Sequence, residues 1–271
     1  MKILCPTDVS NEANNAVAYA AKLAQKTGST LTLLNVQVLA ELTPIEAVFG
    51  EEANVQNARN VLDQQAGEIS RLFKIDCRSI VLSSLLSITS IIKNQAGHYD
   101  LIVMGTDGPD SFIETVRGSK TYRVASESDL PILVIPNDVG YSDVAKILFA
   151  FDYRSVERIP MRQVLSFARL TSADIVMLQI VEERWTHQIE TGIKAVQTKI
   201  TRSWPNEVPI QFATLYADDH VNSLSEHFNS LGVDMIAIGY HKQGLRDRIF
   251  HKSKTRQIVA GASYPLLIVH S

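Results

Sequence analysis

The second half of this 271-residue chain repeats the first. Lys2-Ile3-Leu4-Cys5-Pro6-Thr7-Asp8 returns as Lys146-Ile147-Leu148-Phe149-Ala150-Phe151-Asp152, an offset of 144 from Asp8 to Asp152. Leu31 to Val36 matches Ile175 to Ile180 at the same offset. Asp100-Leu101-Ile102-Val103-Met104-Gly105 then matches Asp234-Met235-Ile236-Ala237-Ile238-Gly239, where Gly105 and Gly239 lie 134 apart. Ser119-Lys120-Thr121 and Pro131–Ile135 find Ser253-Lys254-Thr255 and Pro265–Val269 at that offset. The second copy has lost ten residues, the fall from 144 to 134, in the stretch where the first carries Leu42 to Gly50. Unrelated domains would not keep register through strand, loop and helix, so whatever one copy folds into, the other must also be able to adopt.

Each copy alternates two kinds of segment. Lys2–Pro6, Leu31–Val36, Leu101–Met104 and Ile132–Ile135 are short, nearly continuous apolar runs rich in branched residues, as expected of strands buried on both faces. Between them lie helical periodicities. Ala13, Val17, Ala20, Ala21 and Ala24 form a stripe over Asn11 to Lys26, with Gly28 as a stop. Gln56 to Leu72, Ser87 to Ala96 and Ser119 to Ser126 read as three more helices. The alternation predicts an α/β fold with a parallel, doubly wound sheet in each copy, with right-handed crossovers that put helices on both faces. The turn-rich stretch Pro136 to Ser142 is the join, giving domains at 1–137 and 144–271.

Composition narrows the class. With 45% hydrophobic and 20% charged residues, each half can bury its own core. A net charge of -3 without a basic block gives no footprint for nucleic acid. No apolar run reaches the ~20 residues that span a bilayer, and the start lacks a signal-peptide stretch. Cys5 and Cys77 form neither a disulfide framework nor a metal spacing. These features predict a cytoplasmic protein with no membrane partner.

In open parallel sheets, ligands sit beyond the carboxyl ends of the strands where the winding reverses. After the fourth run come Gly105-Thr106-Asp107-Gly108 and, nine residues on, Gly118-Ser119, then Lys120-Thr121 heading a helix. Glycines at 105, 108 and 118 remove the Cβ atoms that would keep backbone from ligand. A helix start offers unpaired N–H groups and the positive end of a dipole to an anion. Ser119 and Thr121 add hydroxyls, and Lys120 adds a charge.

The pattern G-x-x-G, nine residues, then G-S resembles the ATP-binding loop of the universal stress protein family, and Leu4-Cys5-Pro6-Thr7-Asp8-Val9-Ser10 resembles that family's first strand and its aspartate. The resemblance covers essentially the whole chain, as two units in tandem. It implies two tandem five-stranded parallel sheets, Rossmann-like and similar to the adenine nucleotide alpha hydrolases, with strand order 3-2-1-4-5 and ATP at the switch point. By the same resemblance Asp8 contacts the adenosine end with Pro6 and Thr7 beside it, Val36 flanks the adenine, and Met104, Gly105 and Thr106 line the pocket. Gly108, Gly118, Ser119, Lys120 and Thr121 are placed at the phosphates. Taken singly these residues are bland: Asp8 or Ser119 could be a helix cap and nothing more. Asp107, Asp110 and Glu114 make this loop more acidic than the family pattern; they read either as Mg²⁺ holders acting through water or as solvated loop residues.

In the second copy Gly108 becomes Lys242 and Gly118 becomes Lys252, which would block close approach of phosphates. Arg154 has entered near Asp152, and His241, Lys242, Arg246, Arg248, His251, Lys252 and Lys254 make the loop basic. That segment reads as a solvated basic loop in preference to a pocket for another anion. His241 with His251 lacks metal-ligand spacing on a helix, and His220 and His227, two turns apart, read as helix-surface residues. No Walker A, G-x-S-x-G or H-E-x-x-H motif occurs, and no residue stands out as a base to activate water. The leading expectation is a nucleotide-responsive stress sensor or regulator that binds ATP, with or without Mg²⁺, and acts on an unidentified regulatory protein. The alternatives are a slow ATPase or autophosphorylating protein with Ser119 or Thr121 as acceptor, and a scaffold whose second domain binds another ligand or partner. Under the strand order that the resemblance implies, the last strand of each copy falls near a sheet edge, and an unpaired edge invites pairing; the same resemblance implies that the two copies pair through these strands as a pseudo-dimer, with a homodimer of whole chains as a further step.

Overall fold

A computed structural model of the chain describes residues 1–38, 51–106, 123–124, 127–151, 159–181, 187–205, 208–216, 228, 230–240 and 264–270. It divides into two compact units, Met1–Tyr141 and Ser142–Ser271.

The first unit runs β1 (Lys2–Pro6), α1 (Asn11–Thr27), β2 (Thr30–Val38), α2 (Glu51–Phe73), β3 (Cys77–Ser84), α3 (Ile88–Gln95) with a 3-10 turn at Ala96–His98, β4 (Leu101–Thr106) and β5 (Ile132–Pro136). Its strands are all parallel, in the order β3-β2-β1-β4-β5. In the second unit β6 (Lys146–Phe151), α4 (Met161–Thr171), β7 (Asp174–Val181), α5 (His187–Ser203), β8 (Ile210–Tyr216), β9 (Met235–Tyr240) and β10 (Leu266–His270) give β8-β7-β6-β9-β10, the same 3-2-1-4-5 plan. Each sheet is therefore doubly wound, as expected.

The apolar runs are buried strands. Ile3, Leu4 and Cys5 of β1 and Ile102 and Val103 of β4 are completely buried, because helices cover both faces of a parallel sheet. The stripe of α1 does the covering: Ala16, Val17, Ala20, Ala21, Leu23 and Ala24 are all buried. Ser10 caps this helix, its Oγ accepting the N–H of Ala13 at 3.2 Å, and Gly28 ends it at φ 62°. Aspartates pin the strand starts in both units. Asp100 Oδ2 accepts the Lys2 N–H at 2.7 Å, and Asp234 Oδ2 accepts those of Ala145 and Lys146, each at 2.9 Å.

Several boundaries differ from the sequence expectation. β2 runs on to Val38 because β3 pairs with it down to Val38 opposite Ser84. β4 takes in Gly105 and Thr106, which pair with Ile135 and Pro136, so these two are strand and not loop. α2 starts at Glu51, five residues before Gln56. The expected helix at Ser119 to Ser126 falls largely outside the described residues.

Cys5 and Cys77 cannot form a disulfide. Cys5 lies opposite Leu33 and Cys77 opposite Leu31, with all of β2 between them. Two strand spacings, roughly 9.5 Å, exceed the Cα separation a disulfide spans. Burial pushes both thiols up to about 12, with a smaller push from Cys77 on Cys5 and from Asp76 on Cys77. Native protein at pH 8 should therefore react slowly with Ellman's reagent, while unfolding in urea releases two fast equivalents. Because both thiols sit higher in the fold than their ordinary 9.0, stability is retained below pH 9 and falls as the pH rises towards 12. An unfolding midpoint that stayed flat from pH 8 to 11 would contradict this.

Candidate functional site

The winding of the first unit reverses between β1 and β4. From β1 the chain moves out through β2 to β3, then returns to the other side of β1. The crevice at the carboxyl ends of these strands is the ligand position in such sheets. Pro6, Thr7 and Asp8 come to it from β1, Val36 from β2, and Met104, Gly105 and Thr106 from β4. Gly108, Gly118, Ser119, Lys120 and Thr121 lie outside the described residues, as do Asp107, Asp110 and Glu114.

Nested side-chain caps build the rim after β1. Thr7 donates its N–H to the Leu34 carbonyl at 2.9 Å, and its Oγ1 accepts the Val9 N–H at 3.0 Å. Asp8 Oδ1 accepts the Ser10 N–H at 3.1 Å, and Ser10 then caps α1. Thus Ser10, not Asp8, is the cap; Asp8 stays exposed at the mouth, and its bond shapes the turn. Val9 adopts φ 65°, a left-handed backbone that a β-branched side chain disfavours. Such strain persists only where the surroundings over-determine it. Nothing in the sequence signalled this backbone at Val9.

Two buried polar side chains lie at or near these strand ends. Thr106 ends β4 at 5% exposure, and its Oγ1 has no hydrogen-bond partner among the described residues. A buried hydroxyl without a partner costs free energy until something bonds to it. Asn35, also 5% exposed, donates Nδ2 to the Thr7 carbonyl at 2.8 Å, and its Oδ1 accepts from Gln37 Nε2 at 2.6 Å. Sequence reasoning missed this pair; its one signal was two amides in the second half of β2, among Leu and Val residues. Behind the crevice, Asn15 Nδ2 donates to the Pro136 and Val139 carbonyls at 2.9 and 3.1 Å, tying α1 to the chain after β5. Among the described residues no group of three His, Cys, Asp or Glu side chains could hold a metal.

The corresponding end of the second unit is crowded with its own rings. The Pro160 Cδ lies 3.3 Å from where a Cβ on Gly239 would stand. Tyr240 replaces Thr106 at the 134-residue offset and meets His270 edge-on, with ring centroids 5.7 Å apart. Gln163 Oε1 accepts the His270 N–H at 2.8 Å. Asp152, Arg154, His220, His227 and the basic stretch from His241 to Lys254 lie outside the described residues.

Residues 1–136 match the model of the universal stress protein family. Universal stress protein Slr1230 of Synechocystis is 22% identical, over 98% of both chains. A universal stress protein from Archaeoglobus fulgidus superposes with a TM-score of 0.75 at 16% identity, over 99% of this chain and 98% of that one. A putative universal stress protein from Pseudomonas aeruginosa gives 0.57 at 15% identity, over 99% and 92%. No described helix is long and apolar enough to cross a membrane. The family model takes in half of the chain, and the first unit has the strand plan that its residues led us to expect: the chain belongs to the universal stress protein family.

Proposed function

We propose that the first unit binds ATP in its switch-point crevice, that the second does not, and that the chain works as a nucleotide-responsive regulator in the cytoplasm and not as a fast enzyme. The observation that carries this reading is the unfinished edge of β2. Thr30 donates its N–H towards β1, to the Met1 carbonyl, whereas Leu31 donates towards β3, to that of Asp76. Backbone groups alternate along a strand, so the N–H and C=O of Val36 face the β1 side. The β1–β2 register ends at Pro6 opposite Leu34, so these groups look past the end of β1. A donor beside an acceptor matches N1 and the N6 amino group of adenine, and mismatches guanine, whose N1 donates and O6 accepts. The Thr106 hydroxyl gives a second polar contact, and the first turn of α1 adds the positive end of a 17-residue helix. The sequence G-x-x-G, nine residues, G-S supplies the phosphate cradle, with Gly108, Gly118, Ser119, Lys120 and Thr121 in that role. Mg²⁺ would bind through the phosphates and water.

In the second unit Lys242, Lys252, Tyr240 and Pro160 all argue against a nucleotide. Calorimetric titration with ATP in the presence of Mg²⁺ should give one equivalent per chain, with GTP at least about tenfold weaker for the loss of one base contact. Two equivalents would overturn the assignment of the second unit. No binding of ATP, ADP or AMP would overturn the sensor reading. Phosphate release at a steady rate in the same samples would instead favour the ATPase.

A further inference from the structure

In a regular parallel ladder the Thr7 N–H bonded to the Leu34 carbonyl would be followed by the Val36 N–H bonded to the Thr7 carbonyl. That rung is not made: Thr7 has left the strand, and its carbonyl accepts the Asn35 side chain. The second unit supplies an internal control. There the ladder runs one pair further, to Phe151 opposite Gln179, the positions 144 residues on from Thr7 and Asn35. That pairing places the Ile180 N–H on the Phe151 carbonyl, closing in the second unit the edge that is open in the first.

From this difference we infer that Asn35 is a positioning residue: its amide takes the Thr7 carbonyl, keeps the ladder from closing, and so reserves the Val36 main chain for an adenine base. The base clause rests on the ATP reading above; the ladder clause does not. Three features support the assignment. Asn35 is buried, so its hydrogen bonds are made in competition with little water. Gln37 holds the Asn35 amide with Nδ2 towards Thr7. The Thr7 carbonyl is the one acceptor that the Val36 N–H would otherwise reach along the ladder.

The test is Asn35→Leu, with Asn35→Val as a second variant should leucine crowd the strand. Neither side chain can donate to Thr7. In the nucleotide-free protein, hydrogen exchange at the Val36 amide followed by NMR should slow by at least about tenfold in the variant, as expected when one hydrogen bond closes. ATP should bind about tenfold more weakly, while competition by inorganic triphosphate, which lacks a base, stays unchanged. An unchanged Val36 amide in both variants would overturn the positioning role and leave the strained turn at Val9 as the cause of the open edge. A slowed amide with unchanged ATP affinity would overturn the base-reading role. If the wild type binds no ATP, the nucleotide reading fails by itself, and the exchange rates still decide whether Asn35 holds the ladder open.

Discussion

Gly118→Lys should weaken ATP binding about a hundredfold or more, equivalent to some 2.8 kcal/mol. On the reading proposed above, Gly118 lies in the phosphate loop, where a residue without a Cβ would let the main chain come within hydrogen-bonding distance of a phosphate. Lysine adds a positive charge, so simple electrostatics would predict tighter binding to an anion. The expected loss therefore has only one source, the Cβ and stem that keep the backbone at a distance. The substitution copies what the second unit has at Lys252, so its effect also bears on whether that unit can hold a nucleotide. Calorimetry against ATP measures the loss, and an unchanged melting temperature would show that the loop, not the fold, has been altered. Wild-type affinity in the variant would mean that the phosphates do not rest on this part of the main chain.

Buried strands were legible in the sequence because a parallel strand covered on both faces has no polar side. Leu101-Ile102-Val103 and Ile132–Ile135 are unbroken apolar runs, and every one of these residues is buried. β3 shows the opposite case. Cys77-Arg78-Ser79-Ile80-Val81-Leu82-Ser83-Ser84 borders the first sheet, half-buried along much of its length, and its three apolar residues Ile80 to Leu82 are set among polar ones. Its pairing with β2 in turn carries β2 past Val36, so that extension could not be read from β2 alone.

The candidate site was legible where it depends on residue type and hidden where it depends on adjacency. Thr106 stood out by its place among the glycines. Asn35 did not, because its role comes from Thr7, which lies 28 residues away in sequence and beside it only after the sheet forms. That Ser10 and not Asp8 caps α1 has a similar reason. Several polar residues precede α1, and the turn with Val9 at φ 65° decides which of them meets the Ala13 N–H. In the second unit, Pro160 against Gly239 shows how a copy can keep its strands in register while filling the end of its sheet.

Phe149→Ala tests the independence of the two units where the cost is largest. Phe149 is 1% exposed on β6, between Met177 on β7 and Ala237 on β9. Removing a buried ring costs about 3–5 kcal/mol, lost burial and cavity together. Against the roughly 5–15 kcal/mol that stabilises a typical domain, this is a large share. The urea midpoint of the second unit should fall sharply, while Leu72→Ala, at a position 63% exposed on α2, should stay within about 0.5 kcal/mol of wild type. Every residue assigned to the nucleotide lies in the first unit. ATP affinity should therefore be unchanged in Phe149→Ala below its unfolding transition. If affinity fell with the fold intact, the nucleotide site would have to draw on the second unit, and the crevice at Thr7, Val36 and Thr106 would be only part of it.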